Sequence, residues 1–351
     1  RNIIGASSDS ALKCGSTSHG YLYAYHNTID NGGDQGGNGP ASYGSNTIIF
    51  NHTYRNNIIS TSRTSLRYGG IIPDHGHLTH DLDYDCFRSG SSSKFRVLPG
   101  DRVIIKPGIS LEEITITGKS GLPDNYITFE SQVKHLAVIH GERSRPRNIN
   151  LVDCHYIRVK GFHLLEAYEN PIRGSSGSSH IIVEDNIGEE GYWGGDSWPR
   201  GGFWFRDNCH HILIQRNHIF RYRGGAHGET MGIFFSHALG WNPYTGQIGC
   251  NIIRDNEVDG DFRDGIARTG GYMEGGDINC AYYRNKVHDI PDDDGMEIEG
   301  PNVNVLAYEN LVYNIHTMGV GLAPVGAGPL YLIRNIIGAS SDSALKCGST
   351  S

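Results

Sequence analysis

Three tracts of the chain gather side chains that can do chemistry. AHGETMG carries His227 and Glu229, DFRDGIAR carries Asp261, Asp264 and Arg268, and PDDDGMEIE carries Asp292, Asp293, Asp294, Glu297 and Glu299. Carboxylates grouped in this way can divide acid and base roles, or hold a divalent cation such as Ca²⁺. Asp264, Arg268, Asp294, Glu297 and Glu299 are the candidate catalytic residues, and Asp292, Asp293 and Asp294 a candidate cation site. The plain alternative is that Asp before Gly makes ordinary turns. DHGHLTHDLDYD sets His75, His77 and His80 among Asp74, Asp81, Asp83 and Asp85. These groups can ligate a divalent metal, but their spacing matches no standard zinc motif, and a polar connector would read the same way. The tract GYWGGDSWPRGGFWF, with Trp193, Trp198 and Trp204, and the separate Trp241, offer rings for stacking on a glycan.

These residues need a scaffold, and the sequence carries a short repeat that supplies one. An Asn followed closely by Ile, Val or Leu recurs at Asn2, Asn27, Asn57, Asn186, Asn217, Asn256, Asn285, Asn310 and Asn335. From Asn186 onward the spacings are 31, 39, 29, 25 and 25 residues. Alternating apolar stretches such as HHILIQ precede the anchors, and alternation means strands with one buried face. Strand, Asn turn, strand and variable loop every ~25 residues make one coil of a parallel β-solenoid. Asn suits the corner because it tolerates left-handed angles, and stacked in register its side chains form a ladder. Equivalent positions on neighbouring coils lie ~4.8 Å apart, so Asp264 and Asp294 fall close together. In DGMEIE, Met296 and Ile298 should point in, and Glu297 and Glu299 out.

Composition narrows the possible functions. Among 351 residues, 30 Lys and Arg stand against 38 Asp and Glu, for a net charge of −8. That balance disfavours a nucleic-acid partner, which needs a basic face. The 48 glycines suit many corners, and no apolar run reaches the ~18 residues of a membrane span. Residues 1–18 and 334–351 are identical, which makes Cys347 a copy of Cys14. One period then holds six cysteines, Cys14, Cys86, Cys154, Cys209, Cys250 and Cys280, read either as buried thiols or as extracellular disulfides. The triplet NHT at Asn51 matches a glycosylation acceptor.

VLPGDRVIIKPGISLEEITITGKSGLPDNYITFES (97–131) resembles the opening coil of the right-handed parallel β-helix, or pectin-lyase-like, superfamily. DDDGMEIEGPNVNVLAYENLVYNI (292–315) resembles its later coils. The resemblance implies an all-β, right-handed parallel β-helix of about twelve coils. With the opening coil near residue 97, residues 1–60 read as the final coils of a preceding unit and 61–96 as a connector. Residues 97–338 read as the main helix and 339–351 as the start of the repeated segment. This order suggests identical units end to end, hence a structural subunit of an extracellular or cell-surface filament. The superfamily implies the alternative, a secreted polysaccharide lyase or glycoside hydrolase acting on an acidic glycan. Its lyases use a cation and a base, and its hydrolases use paired carboxylates. The polygalacturonase motifs NTD and RIK are absent from the sequence. No cofactor is required, although Ca²⁺ suits the acidic tract, and polysaccharide is the expected partner beside identical units.

Overall fold

The computed structural model describes residues 97–191, 200–221, 230–236, 249–269, 278–298, 303–322, 329–338 and 340–347, with the strand backbones between residues 2 and 89. The chain divides into two units, Arg1–Asp101 and Arg102–Ser351. The larger unit is a right-handed parallel β-helix whose three parallel sheets each hold nine strands, one from every coil. The smaller unit repeats the pattern with parallel sheets of four, three and two strands. Two of its strands, His80–Asp83 and Cys86–Ser89, come from the segment read above as a connector. Among the described residues no helix is long and apolar enough to cross a membrane.

Each coil buries one side of all three sheets. Stacked apolar columns such as Phe129, Val159, Val183, Ile214 and Ile253 fill the interior, where Val159, Val183, Ile214 and Ile253 are fully buried. Where the third sheet begins, the column Gly202, Gly232, Gly265, Gly295 and Gly319 passes close to the second sheet. A Cβ at Gly265 would lie 2.3 Å from Val287 Cγ1 and 2.6 Å from the Gly295 carbonyl. Only glycine fits there, which explains the recurrent Gly-Ile, Gly-Met and Gly-Val pairs that open these strands.

The corner between the first and second sheets carries a continuous asparagine ladder. Asn186, Asn217, Asn256, Asn285, Asn310 and Asn335 each donate from Nδ2 to Oδ1 of the next, at 3.1, 3.0, 3.0, 3.1 and 2.9 Å. The same Oδ1 also accepts the backbone N–H of the preceding rung, as in Asn217 N to Asn256 Oδ1 at 3.0 Å. Nδ2 gives its second hydrogen to a carbonyl of the coil behind, Ile214 in the case of Asn256. In the smaller unit Asn2 pairs in register with Asn27, while Asn57 lies outside the described residues. The left-handed backbone is not at the asparagines. It falls one residue earlier, at Asp185, Arg216, Asp255, Arg284, Glu309 and Arg334, with φ of 52–57°. The preceding residue turns the corner so that the Asn side chain points inward along the axis. A left-handed non-glycine residue costs ~1–2 kcal/mol. Three satisfied hydrogen bonds per rung, at ~1 kcal/mol each, outweigh that cost.

Cys154, Cys209, Cys250 and Cys280 carry thiols rather than disulfides, and three of these four are buried. Burial pushes the Cys209 thiol up to about 12. This favours the buried-thiol reading for these four.

One rung can be removed without touching the sheets. Asn256→Ala should deprive the Asn217 N–H and the Ile214 carbonyl of their Asn256 partners, and lower stability by about 2–3 kcal/mol in denaturant unfolding. Thr115→Val, which removes only the exposed bond to Glu113, should change it by less than ~0.5 kcal/mol.

Candidate functional site

The strand Asp264–Thr269 and the strand Met296–Ile298 are neighbours in the third sheet, with Ile266 opposite Met296 and Ala267 opposite Glu297. The offset of 30 aligns RDG (263–265) with DDG (293–295). Met296 and Ile298 are buried and Glu297 is half-buried. Asp264 and Asp294 stand one coil apart at the entrance to their strands, and both are buried. Asp264 Oδ1 accepts the Asp294 N–H at 3.2 Å. Asp294 Oδ1 in turn accepts the Met318 N–H at 3.1 Å. Asp294 Oδ2 reaches toward Gly321, where a Cβ would sit 3.0 Å from it. A side chain at 321 would therefore press on this carboxyl group.

The electrostatics set this pair apart. Burial, then the neighbouring Asp293 and Asp264, raise the Asp294 pKa from 3.8 to about 8. Two stacked carboxylates withdrawn from water cannot both stay ionised at modest cost, so the proton stays on Asp294 near neutral pH. Beside them Arg263 Nε donates to Asp293 Oδ2 at 3.2 Å. Burial alone would lower the Arg263 pKa, but Asp264, Asp293 and Glu297 outweigh it and hold the guanidinium charged.

An outward row crosses the coils alongside this cluster. It runs Arg173, Trp204, Phe234, Ala267, Glu297 and Gly321, one residue per coil. Five rungs of ~4.8 Å make a strip of about 24 Å. Its first end is basic: Arg147 hydrogen-bonds Glu169 at 2.6 Å, and burial followed by Arg147 and Arg206 lowers the Arg173 pKa. Trp204 stacks on Phe234 with centroids 5.2 Å apart and joins a buried cluster with Met231 and Ala267. The Arg173 and Arg206 guanidinium groups lie 5.0 and 4.8 Å from its ring centroid. The middle of the row, Trp204, Phe234 and Ala267, is thus covered, and Arg173 and Glu297 are its half-buried members.

The other candidates fall elsewhere. Asp292 and Asp261 are exposed. Arg268 occupies the column of Phe235 and Ile298, and its side chain lies outside the described residues. So do His227, Glu229, Glu299, Trp193, Trp198, Trp241, His75, His77 and the side chain of His80. Among the described residues no three His, Cys, Asp or Glu side chains form a group that would hold a metal ion. Several histidines stack on the outer face of the first sheet, His180 against Tyr156 at 4.4 Å and against His211 at 4.6 Å. The sequence reading missed Arg263 and the basic end of the strip. The alignment of RDG with DDG was the available signal for Arg263.

No protein-family model matches the chain, and no curated protein matches it. Among solved structures it is similar to the periplasmic alginate epimerase AlgG, at 13% identity over 96% of this chain and 76% of that one, with a TM-score of 0.43. It is also similar to an alginate lyase from Paenibacillus sp. str. FPU-7, at 14% identity over 72% of this chain and 90% of that one, with a TM-score of 0.34. A PL6 family alginate lyase, AlyGC, matches at 12% identity over 65% of this chain and 38% of that one, with a TM-score of 0.33. Likeness at this level concerns the winding of the chain alone.

The Asp294 proton links the cluster to stability. The folded pKa lies above the unfolded value, so the folded chain binds the extra proton and its stability should fall as pH rises from about 4 to about 8. Asp294→Asn should remove that slope. Thermal melting of both proteins across this range, compared as a difference so that other titrating groups cancel, reads the effect directly. Parallel curves would contradict it.

Proposed function

We propose that the protein is an enzyme acting on an acidic polysaccharide, bound where Asp293, Glu297 and the Asp264–Asp294 pair meet on the third sheet. The observation that carries this reading is the Asp264–Asp294 pair, in which one carboxyl keeps its proton near neutral pH beside the half-buried Asp293 and Glu297. Each of the two carboxyl groups accepts an N–H of the following coil, but an amide would make that bond without the cost of stacking two acids out of water.

Roles follow from the chemistry of each group. Asp294, protonated at neutral pH, can donate to a glycosidic oxygen as the bond to the sugar breaks. Carboxyl groups one coil apart fit the ~5 Å separation at which a second carboxylate attacks the sugar or stabilises its positive charge. Glu297, half-buried in the outward row, is the carboxylate best placed for contact with a chain lying there. Arg173 and Arg206 at the far end supply positive charge suited to the carboxylates of uronate units. Acidic polysaccharides of this kind belong to the cell exterior, and the reading carries an extracellular, cell-surface or periplasmic location with it.

Incubation with uronate polymers, followed by reducing-end release and by the absorbance of unsaturated ends, separates hydrolysis from elimination. Asp294→Asn should lower kcat at least about a hundredfold while the protein remains folded. Full activity in that variant would remove Asp294 from the mechanism. No turnover of any uronate polymer by the unaltered protein would return the strip to a binding role.

A further inference from the structure

Arg143, Arg216, Arg221 and Arg284 each hydrogen-bond a carboxylate of a neighbouring coil, at 2.6–2.9 Å. Arg173 departs from this pattern. The carboxylate nearest to pairing with it, Glu169, keeps its Oε2 at 4.0 Å. That oxygen already accepts from Arg147 at 2.6 Å. Among the described residues Arg173 has no hydrogen-bond partner, and its Nε is buried without one. A guanidinium offers five N–H donors, and half-burying it without an acceptor costs stability.

The surroundings add to that charge instead of cancelling it. Arg147 lies on the coil before Arg173 and Arg206 on the coil after it. Both have their own acids: Arg147 has Glu169, with Glu113 at 4.0 Å, and Arg206 Nε donates to Asp207 at 2.8 Å. Burial first, then Arg147 and Arg206, lower the Arg173 pKa against the weaker pull of Glu169 and Asp207. An incoming anion relieves such crowding of like charges. Stacking on Trp204 does not account for the arrangement. Arg206 lies 4.8 Å from that ring centroid, against 5.0 Å for Arg173, and still keeps its own acid. One coil back in the same outward row, the Asn150 Oδ1 is buried without a partner. Donors for an anion and an acceptor for a hydroxyl thus stand on register neighbours ~4.8 Å apart.

We infer that Arg173, flanked by Arg147 and Arg206, receives an oxyanion carried on a sugar, while Asn150 accepts from a neighbouring hydroxyl. The carboxylate of a sugar acid and a sulfate ester share this chemistry, and the guanidinium fork fits either. Along the outward row Arg173 stands four coils from Glu297, roughly 19 Å, so the site is a second point of attachment, separate from the Asp264–Asp294 pair. The inference deepens the reading of an acidic polysaccharide as the ligand and rests on it for the sugar, but capture of the anion needs no turnover.

Calorimetry on the full chain at low ionic strength and neutral pH tests the site, with polygalacturonate, dextran sulfate and sodium sulfate as probes. One of the two polymers should bind, and the one that binds tells carboxylate from sulfate ester. Arg173→Met should weaken that binding about tenfold or more. Arg102→Met, at an exposed arginine of the first sheet, should leave it unchanged. Thermal melting adds a readout that separates reception from packing: Arg173→Met should melt no lower than the unaltered protein, because it removes a crowded cation. A melting temperature several degrees lower makes Arg173 a packing residue and overturns the inference. So does equal binding by Arg173→Met, or no binding of either polymer. Sodium sulfate bound without either polymer is an adventitious ion only and overturns it too. Binding lost in Arg173→Met by a protein that turns over no uronate polymer supports this site and ends the enzymatic reading. Turnover with binding unchanged in that variant does the reverse.

Discussion

Everything in this protein depends on hydrogen bonds that run along the helix axis. In a parallel β-helix every strand pairs only with the coil before it and the coil after it, so each coil needs the same geometry as its neighbours. The asparagine ladder enforces that sameness at one corner. Each rung fixes the backbone N–H of the coil behind it, and six rungs in succession hold the first and second sheets in phase from Asn186 to Asn335. The phase is kept although the intervening loops vary, with Asn217 and Asn256 separated by 39 residues and Asn285 and Asn310 by 25. Loops can therefore lengthen on one side of the rod without disturbing the core.

Strict stacking has an electrostatic consequence: each side chain meets the one at the same position on the next coil. On the outer face of the first sheet this is resolved by alternation, with Glu130, Lys160, Glu184, Gln215 and Arg254 following one another in register. On the second sheet Glu257 pairs with Lys286 at 2.6 Å and His163 with Glu189 at 2.7 Å. At Asp264 and Asp294 the rule is broken and like stacks on like, in a buried position. Like charges stacked out of water are a local conflict, the pattern expected where function outweighs stability. The conflict is also what retains a proton on Asp294.

Legibility in the sequence followed the same division. The Asn anchors are visible because each is flanked by an alternating strand, and periodicity is set by backbone geometry. Met296 and Ile298 could be placed inward from alternation within a single strand. The corner conformation was not legible. Asp, Arg and Glu occupy the left-handed position in turn, and the bonds made by the following Asn impose it on them. The meetings of Arg263 with Asp293 and of Arg173 with Trp204 were hidden for another reason. They depend on offsets of 30 and 31 residues between coils, and inserted loops set those offsets, so no local pattern announces them.

Stacked columns govern both the apolar core and the acidic pair. A β-helix interior is a set of stacked columns, and a column has no natural stopping point: its last residue is either capped or extended. Where the polar column reaches Asp264 and Asp294, the stack of like groups cannot be relieved by extension, because adding a further carboxylate would deepen the conflict. Relief there requires a proton or a bound cationic or neutral group. The same stacking that fills the apolar columns without strain thus leaves the acidic one ready to exchange a proton.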